Sequence, residues 1–202
     1  MKTIGIFLLF FAFFTVPALA AVGPTDTLSP ALDRLTAVLS DASLKGDAHK
    51  TERRAKIMNT IREVFNFQEM SRRVLGPAWN EIGAAEQSNF TTQMTKLLEN
   101  VYIGRLEEYS GEKIRFTGER IKGDRAQVST EIEYQSKPMP VSYIMDNSIG
   151  RWMVYDINIE GVSLVRNYME QFRSILRTDK YSGLIKMIEA KNREYASGVA
   201  GK

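Results

Sequence analysis

The 202-residue chain contains no cysteine and one histidine, His49. Without thiols there is no disulfide, no thiolate nucleophile and no cysteine metal site. With one imidazole a multi-histidine metal centre is excluded, and a Ser-His-Asp triad would have to use His49. That residue lies in the polar stretch Asp47-Ala48-His49-Lys50, which predicts a solvated side chain. Charge of one sign is also scarce. The 27 Lys+Arg against 24 Asp+Glu leave +3, too small an excess for a general nucleic-acid binder despite a pI near 9.0. No G-x-S-x-G, P-loop or dinucleotide fingerprint occurs. What is present is ordinary for a globular domain: 44% apolar and 25% charged residues, with no repeat and no low-complexity segment.

The one long apolar run is at the N-terminus. Met1-Lys2-Thr3 precedes an apolar stretch from Ile4 to Val16, Pro17 breaks it, and Ala18-Leu19-Ala20 follows. This is the layout of a secretory signal peptide, with cleavage expected after Ala20. The run is short for a membrane span of about 20 residues. Residues 1–20 are therefore read as a cleaved signal peptide and residues 21–202 as one soluble, exported domain.

The spacing of apolar residues divides the mature chain. A flexible leader is expected over residues 21–27. Ser29-Pro30 can cap a helix carrying Leu28, Leu32, Leu35 and Leu39. Met58, Ile61, Val64 and Phe65 mark a second helix, and Phe67 to Leu75 a short third one ended by Gly76-Pro77. From about Ala84 a long helix carries Phe90, Met94, Leu97, Leu98, Val101, Tyr102 and Leu106, with Tyr109 in the same stripe. After Gly111 the period falls to two. Four strands are expected: Ile114 onward, Ala126–Tyr134, Val141–Met145 and Trp152–Ile159, with turns at Lys122-Gly123-Asp124, Ser136-Lys137-Pro138 and Asn147–Gly150. The alternation puts Trp152 and Val154 on one face and Met153, Tyr155, Ile157 and Ile159 on the other. Gly161 is expected to end the sheet, and Ser163 to cap a helix with Tyr168 and Phe172. A last helix carries Leu184, Ile185 and Ile188. The expected class is α+β: a twisted antiparallel four-stranded sheet wrapped by N- and C-terminal helices, an NTF2-like cone.

Few residues suggest chemistry. Glu131 and Glu133 share the polar face of a strand. Asp156 and Glu160 interrupt the most apolar strand, which predicts a structural carboxylate paired with Arg72, Arg73 or Arg166 more than a catalytic one. Arg72-Arg73 could meet a phosphate or simply suit a helix C-terminus. Basic residues outnumber acidic ones from Lys45 to Arg73 and from Arg166 to Arg193, a mild excess that could steer the protein toward an anionic surface.

Two stretches carry a family resemblance. YDINIEGVSL (Tyr155 to Leu164), within WMVYDINIEGVSLVRNYMEQFRSILRT (Trp152 to Thr178), and FNFQEMSRRVLGPAW (Phe65 to Trp79), together with YIGRLEEY (Tyr102 to Tyr109), resemble the MlaC family, also called toluene-tolerance auxiliary proteins. The resemblance implies a periplasmic protein of a Gram-negative bacterium that binds a diacyl phospholipid in an apolar pocket. It implies no catalytic residue, no metal and no cofactor besides the lipid cargo. Its partners would be an inner-membrane complex of MCE-domain ring, permease and ATPase, and an outer-membrane lipoprotein complex. It would act as a monomer with transient membrane-surface contact and no nucleic acid. A related branch is associated with hopanoids, and these motifs do not separate the two.

Periodicity nominates the pocket wall: Val74, Leu75, Trp79, Leu98, Val101, Tyr102, Leu106, Phe116, Val128, Ile132, Tyr143, Trp152, Val154, Val165, Tyr168 and Phe172. Two other readings stand beside the lipid carrier. One is a small enzyme with Asp156 as base inside the cone. The other is a non-catalytic periplasmic adaptor with a filled core.

Overall fold

The computed structural model describes residues 22–134 and 137–197. The expected signal peptide and Ser136 of the expected second turn lie outside the described residues. Helix α1 spans Pro24–Ser40, so the leader expected over residues 21–27 is helical from Pro24 on. The start is set by Pro24, whose ring presets φ for a first helical turn, and by Asp26, whose carboxylate accepts the Gly23 N–H at 3.3 Å. Pro30 sits inside the helix instead of opening it. It gives up one backbone bond, while Leu28, Ala31, Leu32 and Leu39 keep the inner face buried.

Helix α2 covers Lys50–Val64 and α3 covers Phe67–Leu75, where Asn66 caps the start by accepting the Glu69 N–H at 3.0 Å. Helix α4 runs Ala84–Glu107. The sheet then follows as β1 (Ile114–Lys122), β2 (Arg125–Tyr134), β3 (Lys137–Asp146), β4 (Met153–Ile159) and β5 (Val162–Ser163), and the chain ends in α5 (Leu164–Thr178) and α6 (Lys180–Ala196). The five strands form an antiparallel meander in sequence order. The expected class holds, with one strand more than expected. Gly161 does not end the sheet. Glu160 and Gly161 take left-handed φ values of 51° and 88°, a tight turn that returns Val162 and Ser163 against β4.

Two further differences have local causes. β3 begins at Lys137, so Pro138 is inside a strand and not in a turn. Pro140 accepts the Glu160 N–H at 3.0 Å. The backbone polar side of Pro140, and by alternation of Pro138, thus faces β4 and not β2, and both prolines still pair with β2 opposite Glu131 and Glu133. In β4 the register slips: Ile144 faces Asp156 while Met145 faces Val154. Tyr155 is the extra residue of a bulge, and this inverts the alternation expected for β4. Val154, Ile157 and Ile159 come to one face. Tyr155 turns to the other, where the Arg73 guanidinium sits 3.9 Å from its ring centroid.

Polar ties fix the helices to this sheet. Asn66 donates its N–H to the Val154 carbonyl at 2.7 Å, and Phe65 bridges Val154 in parallel, so the β4 edge not reached by β5 is occupied. Buried Asn192 of α6 donates to the carbonyl and Oε1 of Gln93 and accepts from Asn100 at 3.1 Å, locking α6 on α4. Asp156, 7% exposed, accepts the Ser163 hydroxyl at 2.6 Å and the Val165 N–H at 3.0 Å. It is a structural carboxylate, but its partners are the first turn of α5 and no arginine. Ser163 in turn accepts the Arg166 N–H at 3.0 Å, the cap expected from sequence. Asp156→Ala should leave both donors unpaired and lower unfolding stability by about 2 kcal/mol. Denaturant titration should show Asp156→Asn falling between the two, because the amide oxygen still accepts.

Candidate functional site

The apolar side chains do not close into one core. A large cluster joins α1 and α3–α6 to the sheet through residues such as Leu28, Met70, Phe90, Val128, Val154 and Phe172, and a small one holds Leu39, Ile57 and Ile103, with Ile61 packed against both. Residues of both line a cavity of about 890 Å³. Leu28, Leu32 and Leu35 of α1 and Met58, Ile61 and Val64 of α2 form one wall. Leu98, Tyr102, Ile103 and Leu106 of α4 form the second. The third is the concave sheet face: Ile132, Met139, Val141, Tyr143, Val154, Ile157 and Ile159. Phe65, Phe67 and Met70 line it where α2 turns into α3.

The rim is polar. Arg105 and Glu108 at the end of α4, Lys137 and Pro138 at the start of β3, and Glu160 in the β4–β5 turn are its exposed members. Some polar groups of the lining are tied to the backbone. Thr60 donates to the Lys56 carbonyl at 3.0 Å, and Thr130, beneath Tyr143, donates to the Val141 carbonyl at 3.2 Å. Burial pushes the Tyr143 hydroxyl up to about 12, against a small opposing pull from Thr130. Burial, then the Glu112 carboxylate, also raises Tyr109, whose hydroxyl donates to the Glu112 carbonyl at 2.7 Å. The arrangement is an open, mostly apolar container with Glu99 and Glu112 among its wall residues and a charged lip. It suits an amphiphile whose apolar part is buried and whose polar part stays in water.

Of the sixteen side chains nominated from periodicity, the structure brings Leu98, Tyr102, Leu106, Ile132, Tyr143 and Val154 to the cavity wall. The others are off it. Val74, Leu75, Trp79, Val128, Trp152, Tyr168 and Phe172 are buried in the large cluster, and Val101, Phe116 and Val165 pack partly buried against it. Periodicity missed α1 and α2, whose leucine, methionine and isoleucine stripes were visible but could not be told from packing faces. It missed Ile157 and Ile159 because the bulge at Tyr155 reverses their side.

The polar candidates are occupied elsewhere. Arg72 and Arg73 both hold Glu69, each at 2.7 Å, and neither lines the cavity. Burial works against the Glu69 carboxylate, but the two guanidiniums outweigh it and keep the carboxyl below its ordinary value. Glu131 forms an ion pair with Arg115. His49 is exposed, 3.9 Å from Glu52. Among the described residues no group of three His, Asp or Glu is placed to hold a metal, and no helix is long and apolar enough to cross a membrane.

Comparison with known proteins gives three findings. A family model described as MlaC protein matches residues 30–190. The intermembrane phospholipid transport system binding protein MlaC of Haemophilus influenzae is 24% identical over 177 residues, spanning 85% of this chain and 83% of that protein. The solved structure of a phospholipid-binding protein from Ralstonia solanacearum, in complex with a phospholipid, matches with a TM-score of 0.77 at 22% identity, covering 86% of this chain and 98% of that one. At that identity the likeness is one of fold.

The raised Tyr143 value has a stability consequence. The folded state holds this proton more tightly than the unfolded chain, so the contribution is complete below the unfolded tyrosine value of about 10 and is lost as pH rises toward 12. Denaturation midpoints measured across this alkaline range should fall, and Tyr143→Phe should make the fall shallower.

Proposed function

The chain belongs to the MlaC family, and on that premise we propose that it is a carrier that binds one diacyl phospholipid, tails in the cavity and headgroup at the charged rim. The observation that carries this reading is the apolar hollow bounded by α1, α2, α4 and the sheet. At roughly 30 Å³ per methylene, the space a water molecule fills in the liquid, about 890 Å³ takes on the order of 30 methylenes, two acyl tails. Each buried methylene gains about 0.8 kcal/mol over water, so two tails gain on the order of 20 kcal/mol. Spontaneous release into water is then negligible, while exchange with another apolar site is nearly neutral. Such a carrier loads and unloads by docking.

The family membership extends the proposal to setting and partners. The protein works in the periplasm after loss of residues 1–20. It passes lipid between an inner-membrane complex of MCE-domain ring, permease and ATPase and an outer-membrane lipoprotein complex. It binds its cargo without converting it. The apolar lining and the commitment of Asp156 to a helix cap favour this over the enzyme reading, and the hollow favours it over an adaptor with a filled core.

Native mass spectrometry of mature protein purified without detergent tests the proposal. A mass increment of one phospholipid per chain is expected, with the lipid identified after extraction. A clean unliganded mass, unchanged by incubation with liposomes, would sink it. Val141→Trp should fill the hollow from the sheet side, lowering the lipid-to-protein ratio at least about threefold while the fold survives. Bound lipid should also raise the melting temperature relative to delipidated protein, since a ligand that binds only the folded state stabilises it.

A further inference from the structure

Beside the cavity lies a second depression of about 460 Å³, bounded by Arg62 and Phe67 on one side and by α4 on the other. Phe67 and Glu99 line both hollows, so the two lie back to back with these side chains as the partition. Phe67 opens α3, is only partly buried, and leans on Phe65 at a centroid distance of 4.6 Å.

The chemistry on the groove side is selective. The hydroxyls of Thr91, Thr92 and Thr95 donate to the carbonyls of Gln87, Ser88 and Thr91 one turn back. The Asn100 amide donates to Asn192 at 3.1 Å. The donors left to a ligand are Arg62 and Lys96. Both are exposed, and neither is in an ion pair among the described residues. Glu99, which also lines the groove, opposes a doubly charged anion.

We propose that this groove is a lateral port to the cavity, where Arg62 and Lys96 hold the phosphodiester of a lipid while its tail passes Phe67. The proposal rests on the carrier reading and adds a route separate from the Arg105–Lys137 rim. Two cations in water, one aromatic partition and an apolar hollow behind it match the order of parts along a glycerophospholipid. A single carboxylate beside the cations favours the monoanionic phosphodiester over a phosphomonoester.

The test is the rate at which delipidated protein takes up fluorescent phosphatidylglycerol from phosphatidylglycerol vesicles. Arg62→Glu with Lys96→Glu should slow uptake about tenfold at low salt. The slowing should shrink toward 1 M salt, where the screening length falls to about 3 Å. Arg166→Glu with Lys186→Glu makes the same net charge change at exposed sites outside both hollows, and should slow uptake less than about twofold. Phe67→Leu removes the ring, keeps an apolar side chain and should speed uptake. Groove and control variants with equal rates, or a Phe67→Leu variant with the wild-type rate, overturn the port. Inhibition by millimolar inorganic phosphate that vanishes in the groove variant assigns the site to free phosphate, and also overturns it. A wild-type protein that takes up no lipid sinks the carrier reading itself, whereas a wild type that loads while the groove variants match it sinks the port alone.

Discussion

An apolar hollow of this size cannot stand empty. Its lining is open past the rim, so apolar surface that a packed core would bury meets either solvent or acyl chains. The fold therefore depends on the hollow having contents, whether acyl chains or water entering past the rim. The two apolar clusters around it meet at Ile61, which packs against both.

Polar ties outside the hollow hold the surrounding elements together. Arg53 is 8% exposed on α2 and donates to the carbonyls of Leu39 and Glu107, at 3.2 and 3.3 Å. A cation thus sits against the C-terminal ends of α1 and α4, where helix dipoles favour it. Asn192 ties α6 to α4, and Asp156 ties α5 to β4. The Asn66–Val154 hydrogen bond fixes the corner between α2 and α3 to the sheet. These are directional bonds, so they set distances between elements in a way that apolar contact alone does not.

The architecture was largely legible because it rests on period and punctuation. The α3 boundaries at Phe67 and Leu75, the start of α4 at Ala84 and the Ser163 cap all follow from apolar spacing and capping chemistry. The differences lie where local geometry overrode a habit: Pro30 inside a helix, Pro138 inside β3, the Glu160-Gly161 turn that adds β5, and the bulge at Tyr155. The site was less legible. Leu98 and Val74 both lie on apolar faces of helices, yet one faces space and the other faces packed side chains. Nothing in a one-dimensional pattern distinguishes an apolar face that meets a neighbour from one that stops short of it.

The bulge at Tyr155 has a bearing on which residues form this wall. Ile157 and Ile159 face inward only because one extra residue precedes them. The same residues threaded without the bulge would put Asp156 and Asn158 on the inner surface in place of Ile157 and Ile159, with no change in composition. The identity of the lining is in this sense a matter of counting. A β4 of different apolar residues would line the same wall provided its alternation agrees with the presence of the bulge.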